Sequence, residues 1–286
     1  MINICVYCNP NYTGNDRLQT IKRDIDLVSQ MLILFQSIKK NWTNVDYNFY
    51  CFYNKNIIWS DEDIKRVTMF HELNLIGVDK PDHRDLPWQT RIPCFVHPLK
   101  KKGTHRLVLD CDMIALKNPI FNLDLDWQCS FDGGVIGENY INYILSYCNF
   151  NIDTTLRKNY KKKNLFETFI TNPESWKTIY PHFNAGAVLI KENSTETFIS
   201  HWAPTYDLIS NTSLPKHILH MALQYTFSYS LLATSDNWEP FQPGFNYLLK
   251  CYEINNFGRD NVSLIHYCGV GGEDIAKIRF PEYFKM

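Results

Sequence analysis

The stretch "HRLVLDCDMIALKNP" (His105–Pro119) decides how the rest of the chain reads. Leu107, Val108 and Leu109 form an apolar run, and Asp110 and Asp112 stand at its exit. Two carboxylates one residue apart repel each other, and burying either is costly without a partner. Side chains at i and i+2 on an extended backbone face the same way, so this pair can grip one hard cation together. Mg²⁺ and Mn²⁺ suit it, because they take oxygen ligands and commonly share their shell with substrate phosphates. Asp-x-Asp alone equally describes two solvated carboxylates in a turn. Its place after an apolar strand of an α/β pattern favours the metal.

That pattern extends on both sides. "INICVY" (2–7) reads as a strand followed by the turn-rich "CNPNYTGN". Between Asp24 and Lys40, Ile25, Val28, Met31, Leu32, Phe35 and Ile38 recur at helical spacing. "VDYNFYCF" (45–52) alternates as a strand, Ser60 caps a helix over 60–67, and "LNLIGV" (73–78) is a third strand. Trp88, Ile92, Phe95, Val96 and Leu99 suggest a helix perturbed by Pro93 and Pro98. Alternating strands and helices over the first 115 or so residues argue a doubly wound, mostly parallel sheet flanked by helices. Ligands of such sheets bind at the carboxyl ends of the strands, where Asp110 and Asp112 lie. Further on, "QCSFD" (128–132) and "FNAGAVLI" (183–190) read as strands. A helix over 195–209 is expected to be interrupted by Pro204, and another runs near 216–227. The basic stretch 157–164 reads as a solvated face. With no linker or internal repeat, the expectation is one domain over 1–286. It has a nucleotide-binding half (1–115) and an acceptor and metal half (116–286).

Composition narrows the function classes. The chain has 286 residues and a formal net charge of −1, which gives no electrostatic footprint for nucleic acid. No apolar run approaches the ~20 residues a membrane span needs, and "MINICVY" reads as a strand rather than a leader. Nine scattered cysteines suggest reduced thiols and a cytoplasmic setting. Cys5 and Cys8 form a CxxC, but on a strand they face opposite sides and do not clamp one metal. His217 and His220 are read as packing or surface histidines. Aromatic residues make up 15% of the chain, which interior packing explains first and stacking on bases or sugars second.

Several blocks, in order along most of the chain, resemble the family-8 glycosyltransferases, which include lipooligosaccharide galactosyltransferases and glycogenin-like enzymes. "CNPNY" (8–12) is similar to the family's nucleotide loop, with Asn9 in the place of its Asp. "TRIPCFVHPL" (90–99) is similar to the helix whose Arg, here Arg91, reaches the donor. "RLVLDCDMIALKNPIFNL" resembles the metal motif, "CSFDG" (129–133) the strand whose Asp132 lines the sugar site, and "FNAGAVLI" the FNAG strand. "IHYCG" (265–269) resembles the segment that supplies a third metal ligand, His266. The resemblance implies a GT-A fold, a UDP-sugar donor, a glycan or other hydroxyl acceptor, and Mn²⁺ or Mg²⁺ on Asp110, Asp112 and His266. It implies nucleotide-sugar contacts from Tyr7, Asn9, Asn11, Tyr12, Arg91, Asp110, Ala185, Gly186 and Gly269. Asp132, Asn184 and Lys216 fall at its catalytic positions, and retention of the donor's α configuration is expected. The chain departs from the pattern twice. Pro215-Lys216 replaces an Asp-Gln pair, and Gly272-Glu273 replaces a Lys-Pro whose Lys touches the diphosphate. Lys277 and Arg279 are the nearby cations that can stand in. Asp236 and Glu239 are the carboxylates available to an inverting route. Two rivals stay open: a HAD-type phosphatase, which also follows a strand with Asp-x-Asp, and a non-catalytic nucleotide-sugar-binding module.

Overall fold

The computed structural model describes residues 1–8, 13–15, 22–24, 26–79, 91–101, 103–131, 183–210, 216–242, 244–249, 261–268 and 271–285. The first half gives β1 (Ile2–Tyr7), β2 (Thr13–Asn15), β3 (Lys22–Asp24), α1 (Leu27–Asn41), β4 (Tyr47–Asn54), α2 (Asp61–Thr68) and β5 (Leu73–Val78). It continues with α3 (Ile92–Val96), β6 (His105–Leu109), β7 (Met113–Ala115) and β8 (Trp127–Phe131). Then come β9 (Phe183–Lys191), α4 (Thr195–Ser210), α5 (Lys216–Thr234), β10 (Trp238–Pro240), β11 (Tyr247–Leu248), β12 (Leu264–His266) and α6 (Gly272–Arg279). Local chemistry sets several ends. Asp26 Oδ1 accepts from the Ser29 N–H at 2.8 Å and starts α1, and Ser60 Oγ accepts from the Asp63 N–H at 3.1 Å and starts α2.

Seven strands form the central sheet in the order β10-β8-β9-β6-β1-β4-β5. β1, β4, β5 and β6 run parallel, as their helical crossovers require. β9 enters antiparallel between β6 and β8. The sheet is therefore mixed, and both halves of the chain contribute strands to it. A smaller sheet, β11-β12-β7, sits beyond the end of β6, with β7 and β12 antiparallel.

Apolar residues of alternate strand positions cover the two faces. Ile4, Val6, Phe49, Leu107 and Leu109 pack with Met31, Leu34 and Phe35 of α1 on one side. Tyr50, Phe52, Val108, Phe183 and Val188 pack with Phe198, Trp202, Tyr206 and Phe227 of α4 and α5 on the other. The aromatic share is thus largely interior: Trp127, Trp202 and Trp238 are all fully buried. Cys5 and Cys8 lie in these two different clusters, as their opposite strand faces demand.

Two expected features differ. Pro204 does not interrupt α4, which runs from Thr195 to Ser210 with the proline inside it. Phe198, Trp202 and Tyr206, four residues apart on one face, are buried on the sheet, and that burial outweighs the one backbone hydrogen bond a proline removes. α5 runs on past 227 to Thr234, because Leu231 and Leu232 continue its buried face.

Candidate active site

β6 delivers Asp110 to the carboxyl end of the sheet, and Asp112 precedes β7. β7 pairs with β12 so that Met113 lies opposite His266, and the Tyr267 N–H donates to the Asp112 carbonyl at 3.0 Å. This pairing brings His266 to the aspartates from far along the chain. His266 Nε2 lies 3.2 Å from Asp112 Oδ1 and 3.6 Å from Asp110 Oδ2. One ligand atom from each of the three residues lies within 4.8 Å of the others.

The donor set fits a divalent cation. Nε2 of His266 is buried and has no hydrogen-bond partner among the described residues, although two carboxylates stand beside it. Ligand atoms at adjacent corners of an octahedral shell with bonds of ~2.1 Å lie about 3.0 Å apart, close to the spacing seen here. Two carboxylate oxygens and one imidazole nitrogen match Mn²⁺ or Mg²⁺ better than a thiolate-seeking ion.

The FNAG strand builds the floor of this site through an irregularity. β8 and β9 pair Cys129 with Val188 and then Ser130 with Asn184, so Ala185, Gly186 and Ala187 bulge out of the β8 register. Cys129 Sγ sits in the bulge, 3.2 Å from both the Asn184 and Ala187 carbonyls. On the other side the Gly186 carbonyl accepts from the Asp110 N–H at 2.8 Å, and the Ala185 carbonyl accepts from Arg91 Nη1 at 2.6 Å. Arg91 Nη2 also donates to Asp110 Oδ1, so the guanidinium ties α3 to a candidate metal ligand. Gly186 has a steric reason. A Cβ there would stand 2.5 Å from His266 Cε1 and 2.7 Å from Asn184 Oδ1. The His266 ring and the Asn184 side chain thus occupy the space a side chain at Gly186 would need. Gly186→Ala is expected to push that ring out of line and to destabilise the fold by about 1–3 kcal/mol through overpacking. Thermal melting and Mn²⁺ titration of the variant check this.

In metal-free protein the cluster acts as an ion pair. Burial opposes the charged imidazolium of His266, but the Asp112 carboxylate outweighs it and holds the ring well above its ordinary 6.5. Burial likewise raises Asp112, and His266 more than offsets it, leaving the carboxyl below 3.8. Asp112's contribution to stability is present above 3.8 and is lost as pH falls through its lowered folded value. That of His266 is complete below 6.5 and is lost as pH rises through its raised folded value. The melting temperature in chelator is expected to decline at both limits, and His266→Ala should flatten the alkaline limb.

Of the other expected site residues, Tyr7 ends β1 beside the cluster, and its carbonyl lies 3.2 Å from the Cys111 thiol. Asn184 is buried, with Oδ1 accepting from the Gly186 N–H at 2.8 Å. Lys216 opens α5. Asn9, Asn11, Tyr12, Asp132 and Gly269 lie outside the described residues. Lys277 is held by Glu273 at 2.7 Å on its own helix. Asp236 and Glu239 are exposed at β10, three strands from β6. Asp236 precedes β10, which runs parallel to β8, so it lies at the end of the sheet opposite Asp110. Asn246 is the site residue that sequence reading missed. It accepts from His266 Nδ1 at 3.0 Å, and the turn-forming "PGFN" was its only signal.

No protein-family model matches the chain, and no curated protein sequence matches it. Solved structures do match. A galactosyltransferase LgtC in complex with donor and acceptor sugar analogues superposes with a TM-score of 0.52 at 13% identity, over 98% of this chain and 94% of that one. An active-site Gln-to-Glu variant of LgtC gives 0.53 at 14% identity, over 99% and 95%. The chain therefore has a GT-A fold. Among the described residues no helix is long and apolar enough to cross a membrane.

Proposed function

We propose that this protein is a metal-dependent glycosyltransferase that moves a hexose or pentose from a UDP-sugar to a glycan or other hydroxyl acceptor with retention of configuration. The observation that carries the reading is the convergence of Asp110, Asp112 and the orphaned Nε2 of His266 at the carboxyl end of β6. That end of an open α/β sheet is where nucleotides bind.

Asp110, Asp112 and His266 would hold Mn²⁺ or Mg²⁺. When bound, the ion neutralises charge on the nucleoside diphosphate and improves it as a leaving group. Arg91 orients Asp110 and adds a positive charge beside the diphosphate. Tyr7, with Asn9, Asn11 and Tyr12 that follow it in sequence, would contact uracil, and Gly269 would give backbone close access to phosphate. Asn184 Oδ1 is already committed, so Nδ2, which has no partner among the described residues, is its donor toward the sugar. In this reading Asp132 would stabilise the developing positive charge at the anomeric carbon, and Lys216, at the start of α5, would act from the catalytic position the resemblance gives it. Retention then proceeds on one face of the sugar, the departing diphosphate taking the acceptor's proton. Asp236, at the opposite end of the sheet, does not face the reacting centre as an inverting base would.

Incubation with UDP-, GDP- and dTDP-sugars, with and without Mn²⁺, tests the reading. Metal-dependent release of UDP from a UDP-sugar is the expected result, followed by an α linkage in the first NMR-observed product. Binding without turnover would indicate a non-catalytic module. Hydrolysis of simple phosphate monoesters in place of UDP-sugars would indicate a phosphatase.

A further inference from the structure

The His266 ring sits at the end of a chain of hydrogen bonds whose direction is fixed from its far end. The Gly186 backbone N–H can only donate, and it reaches the Asn184 side chain at 2.8 Å. The atom it meets must therefore be Oδ1. That same oxygen is 3.2 Å from the Asn246 amide, so the Asn246 atom facing it must be the donor, Nδ2. Asn246 consequently turns its Oδ1 toward His266, 3.0 Å from Nδ1. An amide oxygen cannot donate, so Nδ1 carries the proton. The neutral ring then has its lone pair on Nε2, the atom that faces Asp110 and Asp112.

Asn246 occupies a costly position. Its φ of 56° is the only positive value among the described non-glycine residues. Such a conformation persists only where the surroundings enforce it, and Asn tolerates it better than most residues. The turn is fastened to the strand it serves, since the Gly244 carbonyl accepts from the Ser263 and Leu264 N–H groups at 2.8 and 3.1 Å. The side chain itself is buried.

We infer that Asn246 is a positioning residue that imposes the Nδ1–H tautomer and the ring orientation of His266, with Asn184 relaying the polarity from the Gly186 N–H. The inference rests on the metal reading of Asp110, Asp112 and His266. It gives the Asn of the FNAG strand a second task, orienting a metal ligand through Asn246 while its Nδ2 faces the donor side.

Mn²⁺ binding to the purified full chain, measured by electron paramagnetic resonance without any donor, tests it. Asn246→Gly keeps the positive φ and removes the side chain, and is expected to weaken binding by about 10- to 100-fold, the usual cost of losing a partner of a metal ligand. Asn246→Asp keeps an acceptor for Nδ1–H but sets a carboxylate oxygen against Asn184 Oδ1, and is expected to bind more tightly than the Gly variant and more weakly than wild type. A Gly variant that binds Mn²⁺ as tightly as wild type overturns the inference and leaves the metal site standing. Wild-type protein that binds neither Mn²⁺ nor Mg²⁺ overturns both. Nitrogen-15 NMR of histidine in the Mg²⁺-loaded wild type needs no variant. A protonated Nδ1 on His266 supports the inference, and an unprotonated Nδ1 overturns it.

Discussion

Asp112→Asn is expected to lower metal-dependent sugar transfer by about 10³-fold, because metal stabilisation of a leaving group is worth several kcal/mol and each 1.36 kcal/mol is tenfold. The substitution keeps the shape of the side chain and removes one negative charge from a three-ligand set. Asp112 Oδ1 is the carboxylate oxygen nearest His266 Nε2, at 3.2 Å, so a weaker amide ligand there loosens the shared ion most. Fold stability should change less, since Asn keeps the side chain's shape and Asp112 is partly exposed. The measurements are kcat/KM at saturating Mn²⁺ and the melting temperature of the same sample. Turnover within about tenfold of wild type would remove Asp112 from the catalytic ion's shell.

Trp127→Ala is expected to cost about 3–5 kcal/mol of folding stability, the range for deleting a fully buried aromatic. Trp127 stacks on Trp238 with ring centroids 4.6 Å apart and planes at 8°, and meets the Phe183 ring edge-on at 5.3 Å. Its Nε1 donates to the Ser235 carbonyl at 3.2 Å. The residue therefore locks β8 to the edge strand β10 and to the first residue of β9. Removing it leaves a cavity among rings that cannot close over it, and frees the start of the strand that carries Asn184. Urea unfolding followed by tryptophan fluorescence and circular dichroism measures the loss. A cost below about 1 kcal/mol, the typical value for an average substitution, would show that the site repacks.

The apolar runs at 2–7, 45–52, 73–78, 107–109 and 183–190 each became a strand of the central sheet; β1, β4, β6 and β9 are buried on both faces, whereas the edge strand β5 buries only Leu73 and Val78. Ser60 capped α2 as its sequence suggests. The carboxylate pair was visible as two acids one residue apart at the exit of an apolar strand, and the structure places them in the bend between β6 and β7 rather than on the strand itself. Arg91 and His266 were legible only through resemblance, since neither has a local signature of function.

What the sequence by itself determined, then, is what neighbours in the chain decide: element type, helix starts, and the pairing of Asp110 with Asp112. Tertiary structure decided the rest. The antiparallel entry of β9 between β6 and β8, and the bulge at Ala185–Ala187, depend on partners far away in the chain. The passage of α4 through Pro204 depends on the aromatic face that α4 buries. The pairing of β7 with β12 converts two carboxylates into a three-ligand cluster, and the turn at Gly244–Asn246 aims its histidine. Hydrogen-bond polarity and side-chain contact across such distances leave no periodicity in the chain. They exist only once the backbone has closed around them.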